Sequence, residues 1–226
     1  MPGHSSQFSL DGYAHLLDAV SENGYRIMRL CDYRIECPGA RVLILRHDVD
    51  MNPVWAKTLA EIELARGVRS TFFVRLRAQY NVFQIENQAA LHWLRDSGFE
   101  IGLHNDTVSG GSTREEFVAE IALEKRLLEE AVGDSVRGIC PHMPKRQKFR
   151  LTPNEIVTCG FLYDAGEHIF NKHAKFASDS SGMWKNDLNP VNLLGVEQQI
   201  YLLTHPVWWV TNLHPQDVLP QLQAWK

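Results

Sequence analysis

Val42 to Leu45 form an uninterrupted apolar run, "VLIL", that leads straight into Arg46-His47-Asp48-Val49-Asp50. A run this short, apolar at every position, reads as a strand buried on both faces, the kind found in parallel sheets. Asn52 and Pro53 follow as an N-cap and a first helical residue, so a helix starts directly behind the strand.

The pattern recurs along the chain. Tyr13, Leu16, Leu17 and Val20 fall at i, i+3, i+4, i+7 and predict a first helix ending near Gly24. Trp55, Leu59 and Ile62 carry the helix behind "VLIL" up to Gly67. A second strand is expected at "RSTFFVR", a helix at "NQAALHWLRDSG" and a third strand at "FEIGLH". Thr113 to Glu130 reads as a long helix with Phe117, Ile121 and Leu128 on its apolar face. Then come a strand at "SVRGIC", a short helix at "TPNEIVTCG" and a strand at "FLYD". Gly166 to Leu194 reads as loop-rich, followed by a last strand, "QIYLLTH", and a terminal helix, "PQDVLPQLQAW". Strands alternating with helices imply a parallel sheet. No GxGxxG follows the first strand and the spacing is short and regular, so a closed or nearly closed β/α barrel fits better than a dinucleotide-binding fold. In such a barrel the chemistry sits at the C-terminal ends of the strands.

The 226 residues suit one domain, 1–226, without a repeat or linker. Acidic and basic residues are interspersed at a net charge of −4, which excludes a basic stripe for nucleic acid. There is no run of membrane-spanning length, and the N-terminus shows no basic-then-apolar signal segment, so a cytoplasmic protein is expected. Cys31, Cys37, Cys140 and Cys159 form no CxxC pair and read as reduced, mostly buried thiols.

The expected strand ends gather an unusual set of residues. His47, Asp48 and Asp50 close the first strand. His104 closes the third, with Asp106 just beyond. His142 follows the fourth in "CPHMPKR", Asp164 ends the fifth, and Thr204 and His205 end the last. Because side chains alternate along a strand, Asp48 and Asp50 share a face, with Val49 opposite. Two carboxylates side by side repel unless a cation lies between or beside them. Helix capping is the other reading, but Asn52 and Pro53 already supply the cap and the helix start. A metal ligand paired with a general base accounts for the pattern better. Imidazole and carboxylate together suit Zn²⁺ or a comparable divalent ion. No HExxH is present, which argues against a zincin-type protease. His4, His15, His92 and His214 are read as surface or packing residues.

In this order the motifs resemble the polysaccharide deacetylases, the NodB-homology or carbohydrate esterase family 4 superfamily, from about Val42 to Trp209. "RHDVD" is similar to the first family motif, with Asp-x-Asp in place of adjacent aspartates. "GVRSTFFV" resembles the strand after it, and "LRDSGFEIGLHNDT" the second motif. "CPHMP" sits where the third falls, and "LLTHPVWW" resembles the last, which contributes a histidine. The "RHDVD" and "THPVWW" pieces look most like a branch often found near surface-polysaccharide genes.

The resemblance implies a distorted, incomplete (β/α)7 barrel and a metal-dependent enzyme that removes an acetyl group from a sugar. It implies Asp48 as catalytic base, Asp50 and His104 as metal ligands and His205 as general acid. One departure stands out: the family's second metal-binding histidine, four residues after the first, is Val108 here. His142 is expected to complete the shell, with Asp106 as the replacement. The expected cofactor is a divalent metal, Zn²⁺ foremost. The expected partner is an N-acetylated sugar or glycan of surface-polysaccharide or lipopolysaccharide biosynthesis. Arg46, Asp179, Trp184 and Trp208 are the candidate substrate-binding residues. For Arg46 the other readings are holding Asp48 charged or forming a structural ion pair; for Asp179, holding a turn; for the tryptophans, core packing. Two further classes stay open: a hydrolase of another C–N bond, such as a cyclic imide or small amide, and a non-catalytic sugar-binding protein.

Overall fold

The structure, a computed structural model, describes residues 8–36, 40–106, 113–167, 170, 172–211, 213, 216–218 and 220. Eight strands are formed among the described residues: β1 Arg26–Met28, β2 Val42–Val49, β3 Thr71–Val74, β4 Glu100–Asn105, β5 Gly138–Pro141, β6 Tyr163–Asp164, β7 Lys175–Ser178 and β8 Gln199–Thr204. Around them lie α1 Leu10–Glu22, α2 Leu30–Glu36, α3 Pro53–Leu64, α4 Ile85–Asp96, α5 Arg114–Val132, α6 Pro153–Thr158 and α7 Pro206–Val210. The helix starts follow local chemistry. Asn52 caps α3 through a bond from Val54 N–H, with Pro53 first in the helix, and Thr113 and Glu116 form a capping box on α5.

The sheet runs β6-β5-β4-β3-β2-β8-β7 with every neighbouring pair parallel. β1 joins off this path, pairing with the start of β2 (Arg26↔Val42 to Met28↔Ile44), while β3 takes the end of β2 on from Arg46. Among the described residues β6 and β7 do not pair, so the seven-strand path is an incomplete barrel, as expected. β2 alternates through it. Leu43, Leu45 and Val49 join apolar layers between the sheet and the helices. Val42 and Ile44 face the barrel interior with Phe73, Cys140, Tyr163 and Tyr201. By this parity Arg46 and Asp48 point inward and His47 points outward.

Two glycines make room for that interior. A Cβ on Gly102 would lie 2.4 Å from Phe73 Cε1, and one on Gly138 would lie 2.4 Å from Tyr163 Cζ. The two rings thus fill space that β4 and β5 leave free. Phe73 in turn lies under the Arg46 guanidinium, 5.1 Å from ring centroid to Cζ.

Four elements escape a reading of the sequence. β1 and β7 are too short, and "KFAS" of β7 too exposed in its first half, to show a strand pattern; α2 and α7 are short helices of seven and five residues. The segment read as loop-rich therefore contains β7, which pairs with β8 from Lys175↔Ile200 to Ser178↔Leu203. The terminal helix read at Pro215 to Trp225 lies largely outside the described residues, as do His4, Cys37 and His214. Cys31, Cys140 and Cys159 are free and buried.

Gly102→Ala is expected to force Phe73 toward Arg46 and to lower the unfolding free energy by about 1–3 kcal/mol, the usual cost of overpacking. Guanidinium denaturation measures it, and an unchanged midpoint would contradict the interior packing described.

Candidate active site

Because all the strands are parallel, their C-terminal ends meet at one mouth of the barrel. Asp48 lies on β2 and Asp50 one residue past its end; His104 is on β4, His142 follows β5 and His205 follows β8. His104 Nδ1–H donates to the Cys140 carbonyl at 3.0 Å, and this turns Nε2 toward the carboxylates. Nε2 lies 3.4 Å from Asp50 Oδ1, 3.4 Å from Asp48 Oδ2 and 3.2 Å from His142 Nδ1. His142 Nδ1 is in turn 3.4 Å from Asp50 Oδ1. Asp50 Oδ1, His104 Nε2 and His142 Nδ1 thus form a triangle with edges of 3.2–3.4 Å.

These three residues fit a divalent cation. Donors about 2.0–2.1 Å from a tetrahedral zinc ion stand about 3.3 Å apart, the size of this triangle. Asp50 Oδ1 is buried and makes no hydrogen bond of ordinary geometry, so it holds an unused lone pair at the centre of the group. Two imidazole nitrogens and one carboxylate oxygen are a borderline-soft donor set. Burial would raise the Asp50 pKa, but the two imidazoles outweigh it and hold the carboxyl well below its usual range. Burial likewise opposes charge on His104, yet Asp48 and Asp50 push its pKa well above the ordinary value. The group calls for positive charge.

Asp48 is held differently. Arg46 donates to both its oxygens, Nε to Oδ1 at 2.8 Å and Nη2 to Oδ2 at 2.7 Å. Burial works to raise the Asp48 pKa; Arg46, then His104 and His205, outweigh it and keep the group a carboxylate. Arg46 spends its other donors on the Tyr201 hydroxyl at 3.1 Å and on Cys140 Sγ at 2.5 Å. Expected as a substrate contact, it instead forms the buried ion pair that holds the neighbouring carboxylate. Asp48, His104 and Cys140 form a second group of closely spaced ligand atoms.

His205 is held chiefly by one carboxylate. Asp179, the residue after β7, accepts from His205 N–H at 3.0 Å, His205 Nδ1–H at 2.6 Å and Trp209 Nε1–H at 2.8 Å. Burial would lower the His205 pKa, but Asp179 outweighs it and the group rises to about 9. His205 is therefore an imidazolium at neutral pH, with Nε2 4.0 Å from Asp50 Oδ2. Asp179 is wholly buried with both oxygens used, so it orients His205 rather than reaching sugar hydroxyls. No local signal marks it: Asp179 and His205 meet only because β7 and β8 are neighbours.

The remaining candidates scatter. Trp208 is buried in the apolar layer behind the sheet, and Trp184 packs on Phe8 and Trp209 at centroid distances of 5.3 and 6.0 Å. Trp208 is thus buried in packing, while Trp184 is half-buried beside it. Asp106 pairs with Arg75 and stands outside the ligand groups, so the replacement ligand is not found there. Val108 lies outside the described residues. His15 is exposed and His92 bonds the Ala131 carbonyl at 3.1 Å.

Asp179→Asn removes the charge that offsets burial at His205. The His205 pKa is expected to fall from about 9 to the ordinary imidazole range near ~6.5 or below, read by an NMR titration of its ring protons. An unmoved pKa would contradict the pairing.

No family model matches the chain, and no curated protein matches it. Solved structures do. The Streptococcus pyogenes deacetylase PplD, solved with acetate, is 12% identical, with a TM-score of 0.52 over 94% of this chain and 86% of that one. The chitin deacetylase of the fungal pathogen Colletotrichum lindemuthianum is 18% identical, with a TM-score of 0.52 over 82% of each chain. A carbohydrate esterase family 4 pseudoenzyme of Bacillus anthracis, BA3943, is 18% identical, with a TM-score of 0.48 over 83% of this chain and 62% of that one. The chain spans 62% to 64% of the length of the solved BA3943 chains. At these identities the likeness is one of architecture: the chain shares its fold with these two deacetylases.

Proposed function

We propose that this chain is a metal-dependent deacetylase that removes an N-acetyl group from a sugar during surface-polysaccharide or lipopolysaccharide biosynthesis. One observation carries the reading. A carboxylate kept charged by Arg46 and an imidazolium kept charged by Asp179 both flank the Asp50–His104–His142 triangle. Base, acid and ligand set are the parts that amide hydrolysis needs. The "RHDVD" and "THPVWW" motifs, similar to those of the surface-polysaccharide branch, support the substrate class.

Asp50, His104 and His142 would hold a divalent ion, with Zn²⁺ the one this donor set suits, and it would supply Lewis acidity for the acetyl carbonyl and for water. The chain's own residues move the protons. Asp48 takes a proton from the water that attacks the carbonyl carbon, and Arg46 keeps it charged and aimed until then. His205 Nε2–H passes its proton to the amide nitrogen as the C–N bond breaks, since an amine leaves poorly without one. Asp179 holds the other face of the ring and stabilises its charge beforehand. Acetate and an amino sugar result.

Zinc-loaded protein is assayed for acetate release from N-acetylated amino sugars that are free, nucleotide-linked and polymeric, with a cyclic imide as the comparison. Asp48→Asn is expected to retain its metal and its fold but lose about 10²–10⁴-fold in kcat. His205→Ala is expected to lose as much on the acetamide and far less on an activated acetate ester, whose leaving group needs no proton. Wild-type turnover by Asp48→Asn, or hydrolysis of the imide alone, would contradict the proposal.

A further inference from the structure

The reading above uses the inward face of β2; the outward face at the same point carries a second polar group that it leaves unused. His47, Glu63, Tyr13 and Thr204 are all fully buried. His47 Nε2 lies 2.8 Å from Glu63 Oε1, which also accepts from the Tyr13 hydroxyl at 2.7 Å. With Nε2–H donated to Glu63, Nδ1 is left to accept the Thr204 hydroxyl proton at 2.6 Å. The imidazole stacks on Phe72 at a centroid distance of 4.3 Å, which fixes its plane. Polar groups in an apolar layer of leucines and aromatics are unfavourable unless satisfied.

Their position explains what they do. β2 and β8 pair from Val42↔Gln199 to His47↔Thr204, and the ladder stops there. Asp48 and Asp50 lie just past that last pair on one strand, and His205 just past it on the other. Past that pair the β2–β8 register adds no further pairing, and the His205 N–H goes to Asp179 instead. The His47–Thr204 bond joins the side chains of the final pair, one residue before Asp48 and one before His205. Glu63 and Tyr13 anchor it to α3 and α1.

The geometry points to His47 and Thr204 as positioning residues: a side-chain clasp at the end of the β2–β8 ladder that fixes His205 relative to Asp48 and Asp50. This deepens the deacetylase reading and rests on it for its catalytic consequence. Thr204→Val removes one hydroxyl and keeps the shape. It is expected to lower kcat on an N-acetylated sugar on the order of 10²-fold, the scale of a misplacement of about 1 Å, with KM and zinc content little changed. Thr204→Ser, which restores the hydroxyl, is expected to recover the wild-type kcat. Thr204→Ala also removes the hydroxyl that His47 accepts from, so it should lose kcat like Thr204→Val, and it serves if the valine variant does not fold. A second readout needs no turnover: the His205 ring resonances should shift in Thr204→Val and return in Thr204→Ser. A Thr204→Val protein with wild-type kcat and unmoved His205 resonances would overturn the clasp. If the wild type releases no acetate from any acetylated sugar, the proposed function fails, and the clasp then stands or falls on the His205 resonances alone.

Discussion

Asp48 and Asp50 are buried on one side of β2, and two desolvated carboxylates that close cannot both stay charged without cations beside them. Much else in the site follows from that constraint. Arg46 sits two residues earlier on the same strand, so the same alternation that turns Asp48 inward brings a guanidinium against it. Removing Arg46 would take away the bidentate partner of a buried carboxylate, a change that costs about 3–5 kcal/mol. Among the described residues no arginine pairs with the Asp50 side chain. Its neighbours are His104 and His142, and the negative charge not balanced by Arg46 and His205 draws positive charge to their triangle. A divalent ion would answer that need, and the ligand spacing suits one.

The barrel interior is arranged to support these charges. Gly102 and Gly138 open space for Phe73 and Tyr163, Phe73 lies beneath Arg46, and Tyr201 takes the guanidinium's third donor. On the far side of β8, Asp179 reaches His205 from β7, so acid and base are each fixed by a partner of opposite charge. The two pairs divide the labour between environments. Guanidinium keeps one group without its proton, and carboxylate keeps the other with its proton, at the same pH.

The sequence carried much of this in readable form. The apolar run of β2 and the helix starts at Asn52 and Thr113 show in local pattern, because burial on both faces and capping leave a residue-by-residue imprint. The in-line placement of Arg46, Asp48 and Asp50 follows from strand parity alone. His142 beside His104 follows from adjacent parallel strands, since His104 and Cys140 are paired in register. What stayed hidden depends on contacts far apart in the chain. Asp179 gains its role only through the pairing of β7, whose four residues show no strand pattern. Trp184 and Trp208 carry the composition of a sugar platform, but whether an aromatic faces a ligand or a helix is decided by packing that periodicity does not report.

The central claim is that Asp50, His104 and His142 together hold one divalent ion. Anomalous diffraction collected on either side of the zinc absorption edge, from crystals of protein purified with zinc, tests it most directly. The account predicts one peak bonded to Asp50 Oδ1, His104 Nε2 and His142 Nδ1 at about 2.0–2.2 Å. A peak held by Asp48, His104 and Cys140 instead, or no peak at the mouth of the barrel in zinc-saturated crystals, would contradict it.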